Sequence, residues 1–445
     1  MPTEVLDGIF GAYDIRGICP DELSPSVARG VGYAFAEWST TSQLVLGRDM
    51  RSSGVALAAA FADGARAAGV DVIDIGLAST DLLYFASGHL NLPGAMLTAS
   101  HNPASYNGIK LCGPGAAPVG AGSGLDEVAR RAAHGAPSSR GAGGHSTRDL
   151  LDTFAAHVRS FVDVAALEPL RVVADTANGM GGLVVPAVFE PLPFEWELMY
   201  GELDGTFPNH PADPIQPENL VDLSERVRET GADVGLAFDG DADRVFLVDE
   251  HGRAVSGSLL TALVAQAMLR RCGPGPILHN LICSRAVPEA ITEAGGQPIR
   301  TRVGHSFIKA EMARTGAVFG GEHSGHYYFA DNYRADSGLI AGLIALEQLS
   351  AAAVPLSELL APLDRYASSG EINTRVADVD EVMRRVAAHF ARHPHDRLDG
   401  LTVDGGEWWF NLRPSNTEPL LRLNLEAPDT AAVNERVSEI RTLLA

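Results

Sequence analysis

The sequence predicts an α/β chain of several domains, closed by a smaller α+β module. Its 445 residues exceed what one hydrophobic core holds, so roughly two to four domains are expected. Short β-branched runs alternate with helical periodicity through the first three quarters, which is the pattern of parallel βαβ units. The final stretch, about 75 residues, mixes strands with a single amphipathic helix instead.

The elements follow in order. "QLVLGRD" reads as a strand, "GVALAAAFADGARAAG" as a helix and "VDVIDIG" as a strand. "LRVVADTANG" is a strand running into a turn. "PENLVDLSERVRETG" carries Pro217 at its start and Gly231 at its end, the punctuation of a helix. "ADVGLAFDGDADRVFLVDEHG" gives two strands flanking an acidic loop, "SGSLLTALVAQAMLRR" a helix and "GPILHNLICS" a strand. Residues 113–149, rich in Gly, Ala and Ser, are expected to contain mobile surface loop. "EWWFNLRPS" and "PLLRLNLEA" supply strands of the last module. Composition changes most sharply near residue 150, at 250–253 and at 366–372, and no short-period repeat is visible.

Bulk composition is that of a globular protein, 46% hydrophobic and 20% charged. The start, "MPTEVLDGIFGAYDIRG", has neither a basic segment nor an apolar core, which argues for a cytoplasmic protein. No apolar run approaches the twenty or so residues of a membrane span; "SGLIAGLIALEQLS" is broken by Glu347. Cys19, Cys112, Cys272 and Cys283 lack metal or redox spacing and read as reduced thiols. A net charge of −22 disfavours nucleic acid and makes any anionic substrate depend on a local basic pocket. Of 34 basic residues only Lys110 and Lys309 are lysine, and both lie beside candidate motifs.

"FDGDADR" sets Asp239, Asp241 and Asp243 at alternate positions, so an extended loop points all three carboxylates one way. Such a cluster repels itself unless a hard divalent cation sits among them, and magnesium is the expected ion. A calcium EF-hand fails at the sixth position, where Arg244 replaces the required glycine and β-patterned "RVFLVD" follows. Arg244 could reach an anion bound at the open coordination position.

"GAMLTASHNPASYNGIK" ends an apolar run in Ser100. It lacks the G-x-S-x-G of a hydrolase nucleophile. As a phosphate carrier Ser100 needs exposure, backbone donors and nearby cations, and Thr98, Asn102, Asn107 and Gly108 fit a sharply turning polar loop. A phosphoserine, at about −1.5 to −2 charges, would suit a neighbouring metal; an ordinary turn serine is the alternative.

"GGEHSGHYYF" alternates Glu322, Ser324 and His326. A carboxylate can take two adjacent sugar hydroxyls, and a histidine can shuttle protons near neutrality. "RPSNTEPLLR" gathers Arg413, Ser415, Asn416, Thr417 and Arg422 into a donor-rich turn suited to phosphate. It lies in the compositionally distinct last module, so a hinge could close it over the site.

Together the four stretches resemble the α-D-phosphohexomutase superfamily, and within it bacterial phosphomannomutase/phosphoglucomutase, over essentially the whole chain. "TASHNP" resembles the phosphoserine loop, "DGDADR" the magnesium loop, "GEHSGH" the sugar loop and "RPSNTEP" the phosphate loop; "YDIRG" and "VGHSFIK" also match. The resemblance implies three similar mixed α/β domains plus a C-terminal α+β, helix-on-sheet domain around a central cleft. Combined with the composition changes, it divides the chain at 1–150, 151–252, 253–367 and 368–445. It implies that Ser100 is phosphorylated and is a further ligand of the ion held by Asp239, Asp241 and Asp243. Arg16, His101 and Lys110 would flank the phosphoserine, with Lys110 and His326 as acid/base groups. Glu322 and Ser324 would hold sugar hydroxyls, and Arg413, Ser415, Asn416, Thr417 and Arg422 the non-reacting phosphate. Relatives often carry lysine where this chain has Arg302, whose fork differs in geometry from a point charge.

The implied reaction interconverts mannose 6-phosphate and mannose 1-phosphate, and the glucose pair, through hexose 1,6-bisphosphate, which also primes the enzyme. His323, in "GEHSGH" rather than "GEQSGH" or "GEESAG", favours this over phosphoglucosamine mutase or a glucose-only enzyme. A magnesium-dependent sugar-phosphate phosphatase and a non-catalytic sugar-phosphate binder are the other classes. Hexose phosphate is the expected partner, with no nucleic acid or membrane, and the chain is expected to be a monomer or dimer.

Overall fold

The computed structural model describes residues 8–135, 143–414 and 420–444. They form four sheets in chain order. The first has strands Gln43–Arg48, Asp71–Leu77, Gly94–Leu97 and His145–Thr147 in parallel contact. Strand Tyr106–Gly113 runs antiparallel beside Gly94–Leu97, and strand Ile15–Ile18 pairs antiparallel with Tyr106–Gly113. Helices Pro25–Ser39 and Gly54–Ala67 cover one face, crossing so closely that a Cβ on Gly64 would sit 2.0 Å from the Arg29 carbonyl oxygen.

The second and third sheets repeat the arrangement. Strand Val234–Phe238 lies parallel to Arg171–Asp175 and turns into antiparallel Val245–Asp249. Strand Phe319–Gly321 lies parallel to Pro276–Asn280 and turns into antiparallel Tyr327–Phe329. In all three sheets the site-bearing loop therefore leaves the C-terminal end of a parallel strand and returns antiparallel beside it. That end is where open α/β sheets bind ligands.

The fourth sheet has five strands, Ala367–Arg375 pairing with Leu420–Ala427, then Trp409–Pro414, Leu401–Asp404 and His395–Asp396. Helices Val379–His389 and Thr430–Leu444 supply the core residues Val386 and Ile440 that pack with it. The sequence-based helix 217–230 is a 3₁₀ turn, Pro217–Leu220, followed by helix Val221–Thr230, closed by Gly231 at φ 63° as its terminal glycine requires. The region expected to be surface loop contains helix Leu125–Ala133, which buries Leu125, Val128 and Ala132 against the first domain. Its short length and the glycine- and serine-rich sequence on either side obscured that apolar stripe.

One continuous core runs through the first three domains, from Phe85 and Phe154 to Phe238 and Ile344, beside a second cluster around Phe35 and Phe61 in the first domain; the fourth shares no residue with these and packs around Phe410 and Leu423. Among the described residues no helix is long and apolar enough to cross a membrane.

Candidate active site

The loops after Leu97, Phe238 and Gly321 meet at a cleft of about 240 Å³ whose walls include Arg16, Ser100, Lys110, Asp243, Arg244, Glu322, Ser324 and His326. Three of the four sequence-predicted loops thus converge.

Ser100 takes the left-handed conformation, φ 50°, and its N–H donates to Thr98 Oγ1 at 3.0 Å. The side chain is buried, contrary to the exposure expected of a phosphate carrier. Its hydroxyl donates to Asp239 Oδ2 at 2.7 Å, while Arg244 Nη2 lies 3.4 Å away on the cleft side. Ser100 nevertheless lines the cleft, so what access it has is from within that cavity.

Asp239, Asp241 and Asp243 are all buried, and one oxygen from each lies within 4.8 Å of the others. Asp241 Oδ2 accepts from Thr80, Thr98 and Lys110, and Lys110 Nζ also reaches Asp243 Oδ2 at 2.7 Å. Asp241 Oδ1 and Asp243 Oδ1 are buried with no hydrogen-bond partner. Leaving carboxylate oxygens so is costly unless a cation takes them. Burial and the two neighbouring carboxylates push Asp239 well above the usual range; against its own burial, Lys110 holds Asp241 below it. A donor set of hard oxygens with two unused buried lone-pair sites fits a hard divalent ion.

Around the serine, Arg16 donates to Asp14 and Asn102, and Arg244 donates to His101 Nδ1. Burial and the Arg244 and Arg16 charges push His101 well below its usual value, leaving a neutral ring. On the facing wall, Glu322 Oε1 accepts from Asn280 and the Gly304 N–H, and Oε2 accepts from Tyr328 at 2.8 Å. These bonds fix the carboxylate while leaving lone pairs for a ligand. Against desolvation, Asp243 and Asp336 raise the His326 pKa.

Other predicted residues lie elsewhere. Arg302 is exposed, its guanidinium stacked 4.6 Å over the Phe307 ring, and is not among the lining groups of the cleft. Arg413 and Arg422 pair with Glu371 inside the fourth domain, at 2.8 and 3.4 Å. Ser415, Asn416 and Thr417 fall outside the described residues. His323, on which the choice among sugar classes rested, turns away. Its Nδ1 lies 2.9 Å from Ser258 Oγ, and the ring faces a second cavity, about 290 Å³, between domains two, three and four. Any influence of His323 on sugar choice acts through that junction.

Sequence reasoning missed Arg51, which is 1% exposed and pairs with fully buried Asp49. Its guanidinium donates to the carbonyls of Ser100, Asn102, Pro103 and Tyr106, clamping the serine loop from behind. The "GRDMR" stretch carried the signal: two charges directly after a buried strand.

Family comparison agrees with this geometry. Models described as phosphoglucomutase/phosphomannomutase, alpha/beta/alpha domains I, II and III, match residues 7–134, 152–252 and 256–366, and the C-terminal domain model matches 371–443. The chain belongs to the phosphoglucomutase/phosphomannomutase family. Within that family it is 43% identical to a protein of Xanthomonas campestris pv. campestris named "Phosphohexose mutases", covering 98% of each chain. It is 39% identical to the phosphomannomutase of Escherichia coli K12, again covering 98% of each. A crystal structure of a phosphoglucomutase/phosphomannomutase family protein from Burkholderia thailandensis superposes at TM-score 0.89, with 33% identity, over 98% of this chain and 97% of that one. The family's members are mutase enzymes, hexose phosphates are the substrates that membership implies, and metal use belongs to the family.

Proposed function

We propose that the chain is a phosphomannomutase that interconverts mannose 6-phosphate and mannose 1-phosphate and also accepts the glucose pair. The observation that carries this is the Ser100 hydroxyl, 2.7 Å from Asp239 and walled by Arg16, Arg244 and Lys110, facing Glu322, Ser324 and His326 across one cleft.

Ser100, phosphorylated, transfers its phosphoryl group to the free hydroxyl of a bound hexose phosphate. The bond from phosphorus to Ser100 Oγ breaks, a bond to the sugar oxygen forms, the hydroxyl proton passes to His326, and Lys110, an ammonium held between Asp241 and Asp243, is the acid that supplies a proton to the departing Ser100 oxygen. The resulting hexose 1,6-bisphosphate turns over in the cleft, and its other phosphate returns to Ser100. Glu322 and Ser324 hold sugar hydroxyls in both orientations. Arg413, Ser415, Asn416, Thr417 and Arg422 are proposed to grip the non-reacting phosphate, with Arg302 as a further substrate contact. Asp239, Asp241 and Asp243, with the phosphoserine, are the proposed holders of Mg²⁺, which when bound neutralises charge on the phosphoryl oxygens. Added hexose 1,6-bisphosphate primes Ser100. The division at 1–150, 151–252, 253–367 and 368–445 assigns one loop to each domain. We place the enzyme in the cytoplasm as a monomer or dimer.

The test is a coupled assay with mannose 1-phosphate and glucose 1-phosphate, with magnesium and the bisphosphate primer. Ser100→Ala is expected to lose at least ~10³-fold in turnover, the loss of a covalent route. Near-normal turnover in that variant rejects the carrier role, and release of free phosphate instead of isomerised sugar points to a phosphatase.

A further inference from the structure

Lys309 is one of only two lysines in the chain, and nothing in the reaction above uses it. It projects from helix His305–Thr315 and is 3% exposed. Its ammonium lies 3.0 Å from Asp336 Oδ1 and 3.7 Å from the centre of the Tyr84 ring, which belongs to helix Thr80–Leu90 of the first domain. Asp336 is itself 2% exposed, and its other oxygen, Oδ2, lies 2.9 Å from His326 Nδ1. The next oxygen that His326 Nδ1 could choose, Asp243 Oδ1, lies farther off, at 3.8 Å.

These four groups form a chain across a domain seam. A long flexible ammonium is held over an aromatic face of domain one. It fixes one oxygen of a carboxylate in domain three, and that carboxylate's other oxygen fixes one nitrogen of the imidazole in the cleft. The same helix of domain one is tied in at two further points. Thr80 Oγ1 donates to Asp241 in the acidic loop, and Ser337 Oγ, one residue beyond Asp336, donates to Asp81 at 2.7 Å. A histidine ring pivots about two torsions, so a partner on Nδ1 is what determines where Nε2 points.

We propose that Asp336 and Lys309 are positioning residues for His326, and that Tyr84 seats Lys309 so that the imidazole is aimed only when domains one and three are docked. Asp336 accepts from Nδ1–H and leaves Nε2 toward the cleft. Lys309 keeps Asp336 from swinging and balances its buried charge. This rests on the reading of His326 as a proton-transfer group. Neither Asp336 nor Lys309 is required to touch the sugar.

The test is a double-mutant cycle on the full-length enzyme, assayed with mannose 1-phosphate. Asp336→Asn is expected to lose about 10²-fold in kcat with KM changed less than about twofold, the pattern of a lost orienting group rather than lost binding. Lys309→Met is expected to lose about tenfold and Lys309→Arg, which keeps the charge, to recover most of that loss. Because Lys309 acts through Asp336, the double variant Asp336→Asn/Lys309→Met is expected to be no slower than Asp336→Asn alone. Tyr84→Phe is expected to match the parent, and Tyr84→Leu to behave like Lys309→Met. A merely structural role predicts instead additive losses of melting temperature with kcat preserved. Asp336→Asn within twofold of the parent kcat, or a double variant showing the product of the two single losses, overturns the proposal. Should a single variant fail to fold for want of its charge partner, the charge-balanced double variant still discriminates, since kcat at the parent level there rejects the positioning role. If the parent releases phosphate rather than isomerising sugar, the mutase reading fails but the cycle is run unchanged on that rate.

Discussion

Ser100 shows how a residue's chemistry is set by what holds its backbone. A non-glycine residue at φ 50° is uncommon, and the loop carrying it is kept there by Arg51, whose guanidinium donates to four loop carbonyls and to Asp49. Arg51→Met strips those bonds and leaves Asp49 buried without its cation, so a loss of roughly 3–5 kcal/mol in urea unfolding is expected. Turnover should fall with it, while Ser100→Ala should cost turnover and little stability. Ser100, the aspartate trio and Glu322 were legible because reactive side chains at short, regular spacing are rare by chance. For Arg51 the sequence signals only a charge after a buried strand, and not its partners, because these are main-chain carbonyls, which every sequence supplies. Asp336 was hidden for another reason: it is ten residues from His326 and meets it only when the 327–329 strand folds back.

At the scale of elements, the three sheets place their functional loops at equivalent positions, each between a parallel strand and its antiparallel return. No repeat is visible in the sequence because equivalence lies in topology, while the loops themselves carry different chemistry. Strands and helices were read well where apolar runs were bounded by turn residues, as at 43–48, 234–238 and 257–272. The 125–133 helix, itself amphipathic, was overlooked because it is short and lies between glycine-rich flanks. Helix Thr80–Leu90 is the element that joins the acidic loop to the third domain, and Gly88 on it faces Tyr333, whose ring a Cβ would meet at 2.2 Å. Helix propensity alone makes Gly88→Ala stabilising by about 1 kcal/mol. Overpacking against the ring reverses the sign, and a net loss of about 1–3 kcal/mol is expected from thermal or urea unfolding. A stabilised variant would show that the seam has room to spare.

For the molecule as a whole, a net charge of −22 coexists with a cleft walled by Arg16, Lys110 and Arg244. An anion approaching the globally acidic chain therefore depends on that local cluster of cations. The first three domains share a core and the fourth does not, so the two parts should fold independently. A chain ending at residue 366 is therefore expected to be folded yet to lose mutase turnover by at least ~10²-fold, since it lacks Arg413 and Arg422, the proposed holders of the non-reacting phosphate. Unchanged turnover in that truncation would remove the fourth domain from substrate positioning.

The left-handed turn at Ser100 also restricts which hydroxyl amino acid can serve there. Threonine offers the same oxygen, but its branched Cβ crowds the neighbouring peptide in that conformation. A family that swapped its carrier from serine to threonine would need a differently wound loop, so the two alcohols are not evolutionary synonyms at this position.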